Sequence, residues 1–163
     1  MLASVEQRIP GHFGIDRREH KVSFLSETKV LSEVATKYNF SIDAYRVNET
    51  GRVEVESFMK SGFKVAYGAD ISISMPTLLA IKNGSYKAAL GIRSGRQPLF
   101  IEQYLDGSIE QSLAAQNVVV ERSNVVEIGH LYSNQSKFVL PLLLAVGVSL
   151  FVNQYRYIVF CAT

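Results

Sequence analysis

The sequence predicts a single α/β domain in which helices pack on a mixed β-sheet, and three features carry that prediction. Asn83-Gly84 separates two runs of strand-forming residues, the strongest short-range hairpin signal. The C-terminal part reads as strand, apolar helix and strand, an order that implies a parallel pair joined by a crossover. A chain of 163 residues, 47% apolar and 20% charged, has the size and composition of one folded core.

Residues 1–22 are polar, with Pro10, Gly11, Gly14 and the charged run Asp16-Arg17-Arg18-Glu19, and are expected to form a loose arm. Ser26 can cap a helix in which Val30, Leu31, Val34 and Tyr38 share one face and which ends near Asn39. Asn48-Glu49-Thr50-Gly51 is a turn. After it Val55, Phe58, Met59, Phe63, Ala66 and Tyr67 mark a second helix closed by Gly68 in the C′ position.

Residues 77–82 and 85–92 form the hairpin strands, with a two-residue type I′ turn expected between them. Residues 99–105 look like a third strand, and Asp106 or Ser108 can cap a short helix through Ile109 and Leu113. Beyond Asn117 the pattern returns to strand, and residues 125–132 form one that breaks at Gly129.

A polar loop follows, and then the apolar residues 138–152. They are short of the roughly 20 needed to cross a bilayer and are expected to form a core helix, apolar nearly all round, between the sheet and another layer. Ser136 is the expected cap, although a start nearer Val139 suits Pro141 better. Residues 155–162 close the chain as a strand.

Seventeen basic against fifteen acidic side chains leave a formal charge of +2, which excludes an extended phosphate-binding surface, so no nucleic-acid partner is expected. The one cysteine, Cys161, rules out an intrachain disulfide or a cysteine metal cluster, and is expected to be a buried small apolar residue. His12, His20 and His130 are too scattered for a metal site. The N-terminus lacks the pattern of a secretory signal, and a cytoplasmic location is expected, with secretion or membrane association as the alternative.

Several spaced motifs resemble the thermostable haemolysin family. They are residues 99–106, Ile109-Glu110, Arg122, Val126-Glu127-Ile128-Gly129 and Leu131, preceded by Arg52, Glu56, Phe58, Phe63, Tyr67-Gly68-Ala69 and Pro76-Thr77-Leu78-Leu79. The resemblance covers residues 51–163, while residues 1–50 form an arm and helix without a match. It implies a GNAT-like acyltransferase fold, distantly similar to that of acyl-homoserine-lactone synthases, with residues 125–163 surrounding the thioester arm of an acyl donor. The family usually has Asn where this chain has His130, and its members run on past Thr163. The fold would then lack its C-terminal strands, so either the chain is a fragment or a partner such as a second copy covers the edge.

The resemblance implies transfer of an acyl group from acyl-CoA or an acyl carrier protein to an amine, with no metal. Glu127 would be the base and His130 its assistant, and Glu102 is the third catalytic candidate. The donor's diphosphate would lie at Leu131, Tyr132, Ser133, Asn134, Gln135, Ser136 and Lys137, ahead of the crossover helix, although the glycine-rich pattern usual in such enzymes is absent.

Each site has a plainer alternative. Glu127 and His130 can point to opposite faces of a regular strand, the loop can be an ordinary polar connection, and Glu102 can form a structural ion pair with Arg122 or Arg93. Two other functions stand beside acyl transfer: a membrane-active, cytolytic protein, and a GNAT-like binding module without turnover.

Overall fold

The computed structural model describes residues 39–161. The expected arm over residues 1–22, the helix capped by Ser26, His12 and His20 lie outside the described residues. Five strands form one sheet in the order β1-β2-β3-β4-β5. They are β1 (Ser41–Arg46), β2 (Thr77–Asn83), β3 (Ser85–Ser94), β4 (Val125–Ser133) and β5 (Tyr157–Val159). Neighbours are antiparallel except β4 and β5, the parallel pair that the strand–helix–strand pattern implied.

Three α-helices accompany the sheet: α1 (Arg52–Tyr67), α2 (Ile109–Ala114) and α3 (Val139–Val152). Period-two alternation sends Leu79, Ile81, Leu90, Ile92 and Val126 to one face, where Leu142, Val146 and Leu150 of α3 cover them. Leu78, Ala80 and Ala89 point the other way, against Val55 and Met59 of α1. Leu99, Ile109 and Val125 form a third apolar cluster that joins α2 to the start of β4.

Helix α1 ends as expected at Gly68, whose φ of 68° is left-handed. Ser108 caps α2, accepting from the Gln111 N–H while the Gln111 side chain accepts from the Ser108 N–H. The hairpin also forms, but its turn differs from type I′. Gly84 alone has a positive φ there (68°), and the register shifts at Ile81 and Lys82, so a bulge replaces the two-residue turn.

Four expectations need correction. Residues 99–105 are not a strand: Phe100–Tyr104 is a 3₁₀ turn, because its first N–H groups are taken by carboxylates and β4 already has strands on both sides. Residues 118–121 are not extended into the sheet, and β4 begins only at Val125 after a 3₁₀ turn over Arg122–Asn124. Strand β5 has three residues rather than eight, and Cys161 lies past its end and is exposed. Ser136 caps nothing; it opens a 3₁₀ turn, Ser136–Phe138, that runs into α3 at Val139, which leaves Pro141 in the first helical turn where a missing N–H costs little.

Two features were not anticipated. Strand β1 is an edge strand whose Ile42 and Ala44, with Phe40 just before it, pack on the α3 side. Helix α3 is packed on one side only: Leu140, Leu144 and Phe151 are 63%, 58% and 77% exposed, so no second layer covers it among the described residues. No helix among those residues is long and apolar enough to cross a membrane.

Candidate active site in the bend of strand β4

Strand β4 changes character halfway along. Between its Gly91↔Gly129 and Ala89↔Tyr132 pairs, β4 advances three residues while β3 advances two, so β4 carries one extra residue. The bulge is at His130, whose φ of 54° is left-handed. Asn, Asp and His tolerate that region best among residues with a side chain. Gly129 itself has no positive φ; the break expected at the glycine is one residue later.

The bulge resets the alternation of the strand. Val126 and Ile128 face α3, and strict alternation would send Tyr132 there too. Instead its ring packs against Phe58 and Phe63 of α1, with centroids 5.2 and 6.0 Å away. Gly62 makes room for this ring, because a Cβ there would lie 2.1 Å from it.

On the β5 side, the ladder ends at Glu127↔Val159, whereas β4 continues to Ser133. Among the described residues β4 has no β5 partner from Ile128 onward, and this end of the β4–β5 pair is the candidate wedge. Glu127 belongs to the last β4–β5 pair.

Glu127 is only 2% exposed. One carboxylate oxygen accepts from the Ile101 N–H at 2.7 Å; the other accepts from the Phe100 N–H at 2.9 Å and from Arg93 Nη1 at 3.3 Å. Arg93 is the cross-strand neighbour of Glu127 on β3. Its Nη2 also donates to the Ser74 carbonyl at 3.0 Å and the Ser74 hydroxyl at 2.9 Å. Arg93, offered by the sequence as a partner for Glu102, therefore belongs to Glu127.

His130 is drawn into the same group. Burial pushes its imidazole below the usual histidine range, and the positive charge of Arg93 pushes it further, against an interaction with the Ser72 main chain and the charge of Glu127. At neutral pH the ring is uncharged. Its buried Nδ1 has no hydrogen-bond partner, an uncommon condition for a buried nitrogen. The bulge thus overrides the opposite-face arrangement that a three-residue spacing in a regular strand would give.

Met75 forms the wall beside this group. Its side chain lies across the Gly91–Gly129 pair, so close that a Cβ would stand 2.3 Å from Met75 Cγ at Gly91 and 2.3 Å from Cε at Gly129. The buried Arg52 fixes Met75 by donating to the carbonyls of Met75 at 2.6 Å, Pro76 at 3.2 Å and Tyr45 at 3.0 Å. Sequence reasoning missed Met75; its one signal was the pair of glycines inside two strands, which marks a close approach by another group.

Glu102 lies elsewhere. Arg122 grips it with Nη1 at 2.6 Å and Nη2 at 2.7 Å, and it accepts from the N–H groups of Leu99 at 3.0 Å and Ile109 at 3.1 Å. Hydrogen bonding to Arg122 is the main force holding its carboxyl down, to about 2. Arg122 also reaches Glu110 at 2.8 Å. This is the ion pair expected with Arg122, and it ties the 3₁₀ turn to α2 rather than to the wedge.

The candidate donor loop is divided. Tyr132 is committed to α1, Ser133 Oγ donates to Lys87 O at 3.0 Å, and the Asn134 N–H donates to the same carbonyl at 3.0 Å. Leu131, Gln135, Ser136 and Lys137 remain exposed at the start of the α3 connection. They offer a diphosphate one cation, Lys137, and the N-terminal end of a 14-residue helix. Beyond β5, the Cys161 thiol is pushed up by desolvation and by the charge of Glu127. Among the described residues, no three His, Cys, Asp or Glu side chains gather in metal-binding geometry.

Comparisons with known proteins bear on the fold and the family. The crystal structure of the AHL synthase LasI is similar with a TM-score of 0.53 and 14% sequence identity, over 74% of this chain and 71% of that one. Its likeness establishes the GNAT-like fold. A search of curated proteins finds no match. The family model for thermostable hemolysin matches residues 45–163, taking in the last residues of β1, all of the later strands and the bent strand; the chain belongs to the thermostable hemolysin family.

Proposed function

We propose that this protein is an N-acyltransferase that moves an acyl group from acyl-CoA or an acyl carrier protein to an amine at the β4–β5 wedge. The observation that carries the proposal is the bulge at His130, which sets an imidazole with an unpaired Nδ1 in the strand that also holds Glu127. An extended thioester arm can lie along β4 beyond Glu127 and hydrogen-bond to its main chain.

In the transfer, the amine nitrogen attacks the thioester carbonyl carbon, the C–S bond breaks, and the thiol leaves while the amine gives up a proton. Glu127 is poorly suited to take that proton, because its two carboxylate oxygens already accept from three donors. His130 is better suited, being neutral at pH 7 with Nδ1 unpaired, and it takes the proton directly or through one water. Glu127 then serves to hold Arg93 and the 3₁₀ turn in place. This reverses the roles suggested by the sequence, where Glu127 was the base. Exclusion of water by Met75 and the third apolar cluster protects the thioester from hydrolysis.

The test is incubation of the protein with a panel of acyl-CoA and acyl carrier protein thioesters and amine acceptors, with mass spectrometry of both products. Equal amounts of free thiol and N-acylated amine support the proposal. Absence of both across the panel contradicts it.

A further inference from the structure

Helix α3 carries a continuous apolar stripe on the side turned away from the sheet. Leu140, Leu144, Gly147 and Phe151 follow one another at spacings of four, three and four residues, the repeat of a helix-packing face. The three large side chains are mostly exposed, and nothing lies within 4 Å of a Cβ built on Gly147, so a second helix can approach closely at the middle of the stripe.

The start of the described chain points to the occupant. Phe40 packs edge-on against Phe138, immediately before α3, with ring centroids 6.3 Å apart. Residue 39 therefore enters the fold at the N-terminal end of α3. Asn39 has a φ of 52°, the left-handed conformation that commonly closes a helix at C′. The residues before it present Val30, Leu31, Val34 and Tyr38 on one helical face. From Ser26 to Tyr38 a helix would be about 20 Å long, against about 21 Å for the 14 residues of α3.

We propose that residues 26–38 dock as an antiparallel helix on this outer face of α3, placing Val34 opposite the Leu144–Gly147 region. The segment completes the second layer that the all-round apolar character of α3 requires. It also clamps the element that follows the candidate donor loop, so its docking bears on the N-terminal end of α3.

The test uses the full chain with Cys161→Ser and the pair Val34→Cys and Leu144→Cys, joined by a short thiol crosslinker. A control pair replaces Leu144→Cys with Val65→Cys, since Val65 is 87% exposed on α1 across the sheet. The expected result is an intramolecular crosslink in the monomer for the first pair and not for the second. Crosslinking only between molecules overturns the proposal in favour of a second copy on this face. Protection of the Leu144→Cys thiol only by phospholipid vesicles overturns it in favour of a lipid surface, and equal crosslinking of both pairs overturns it as well. A charge exchange adds a readout that survives partial loss of stability. Val34→Lys and Leu144→Glu should each lower Tm, and the double variant should recover most of the loss; recovery absent, the docking is wrong.

Discussion

Glu127 and Glu102 are held alike, each by an arginine and two main-chain N–H groups, yet they serve different ends. Glu127 is sealed in the sheet at the last β4–β5 pair, close to an imidazole with an unpaired nitrogen. Glu102 lies at the rim, where its side chain is 19% exposed, and fastens one loop to the next. The same carboxylate chemistry thus holds the buried bend of β4 in one region and a surface connection in the other. Location relative to the bent strand makes the difference.

Removing each carboxylate should separate the two regions. Glu127→Ala leaves Arg93 nearly buried with only Ser74 to bind, and breaking such a pair costs about 3–5 kcal/mol. Glu102→Ala leaves Arg122 with Glu110 and access to water, for a cost of about 1–2 kcal/mol. Chemical denaturation of both variants measures this, and equal losses would dissolve the distinction.

The glycines beneath Met75 come next in size. Gly91→Ala meets Met75 at Cγ and at Cβ, which cannot move without the backbone, whereas Gly129→Ala meets chiefly the mobile Cε. Overpacking at Gly91 should cost about 1–3 kcal/mol and that at Gly129 less. Met75→Ala should relieve the clash at Gly129 and only part of that at Gly91, where the Met75 Cβ stays 2.5 Å from the new methyl; a set of double variants checks this by Tm.

The pH dependence is smaller. The carboxyl of Glu102 is held at about 2 in the fold, below its ordinary 4.5, so its contribution is complete above pH 4.5 and fades as pH falls toward 2. Exposure to solvent limits the effect to about 1 kcal/mol. Glu102→Gln should flatten the stability profile over that window, as acid denaturation would register.

Much of the fold was legible because local chemistry and tertiary packing agree. Asn83-Gly84, Gly68, Ser108 and the crossover each have a physical cause that acts within a few residues. Residues 99–105 misled because Glu102 and Glu127 draw main-chain N–H groups away from a ladder, and Glu127 is distant in sequence. Strand β1 was overlooked although Phe40, Ile42 and Ala44 alternate with polar residues, since six residues at a sheet edge give a weak period-two signal.

At the site, Glu127 and His130 were legible as a pair through the resemblance. The bulge that brings them into one electrostatic group was not, because a left-handed residue inside a strand leaves little trace in composition. Arg93 and Met75 depend on strand register and on side-chain reach from another segment, and neither follows from local spacing.

The central claim concerns His130 as proton acceptor at the wedge, and thiol release measured against pH in the parent protein and in His130→Asn tests it most directly. Asn keeps the left-handed bulge and removes the imidazole. Because the folded imidazole is held below its usual range, parent activity should persist at neutral pH and fall only as the ring becomes protonated below that range. His130→Asn should lose that acid limb and about a hundredfold or more in kcat. An unchanged rate with the same acid limb would contradict the account.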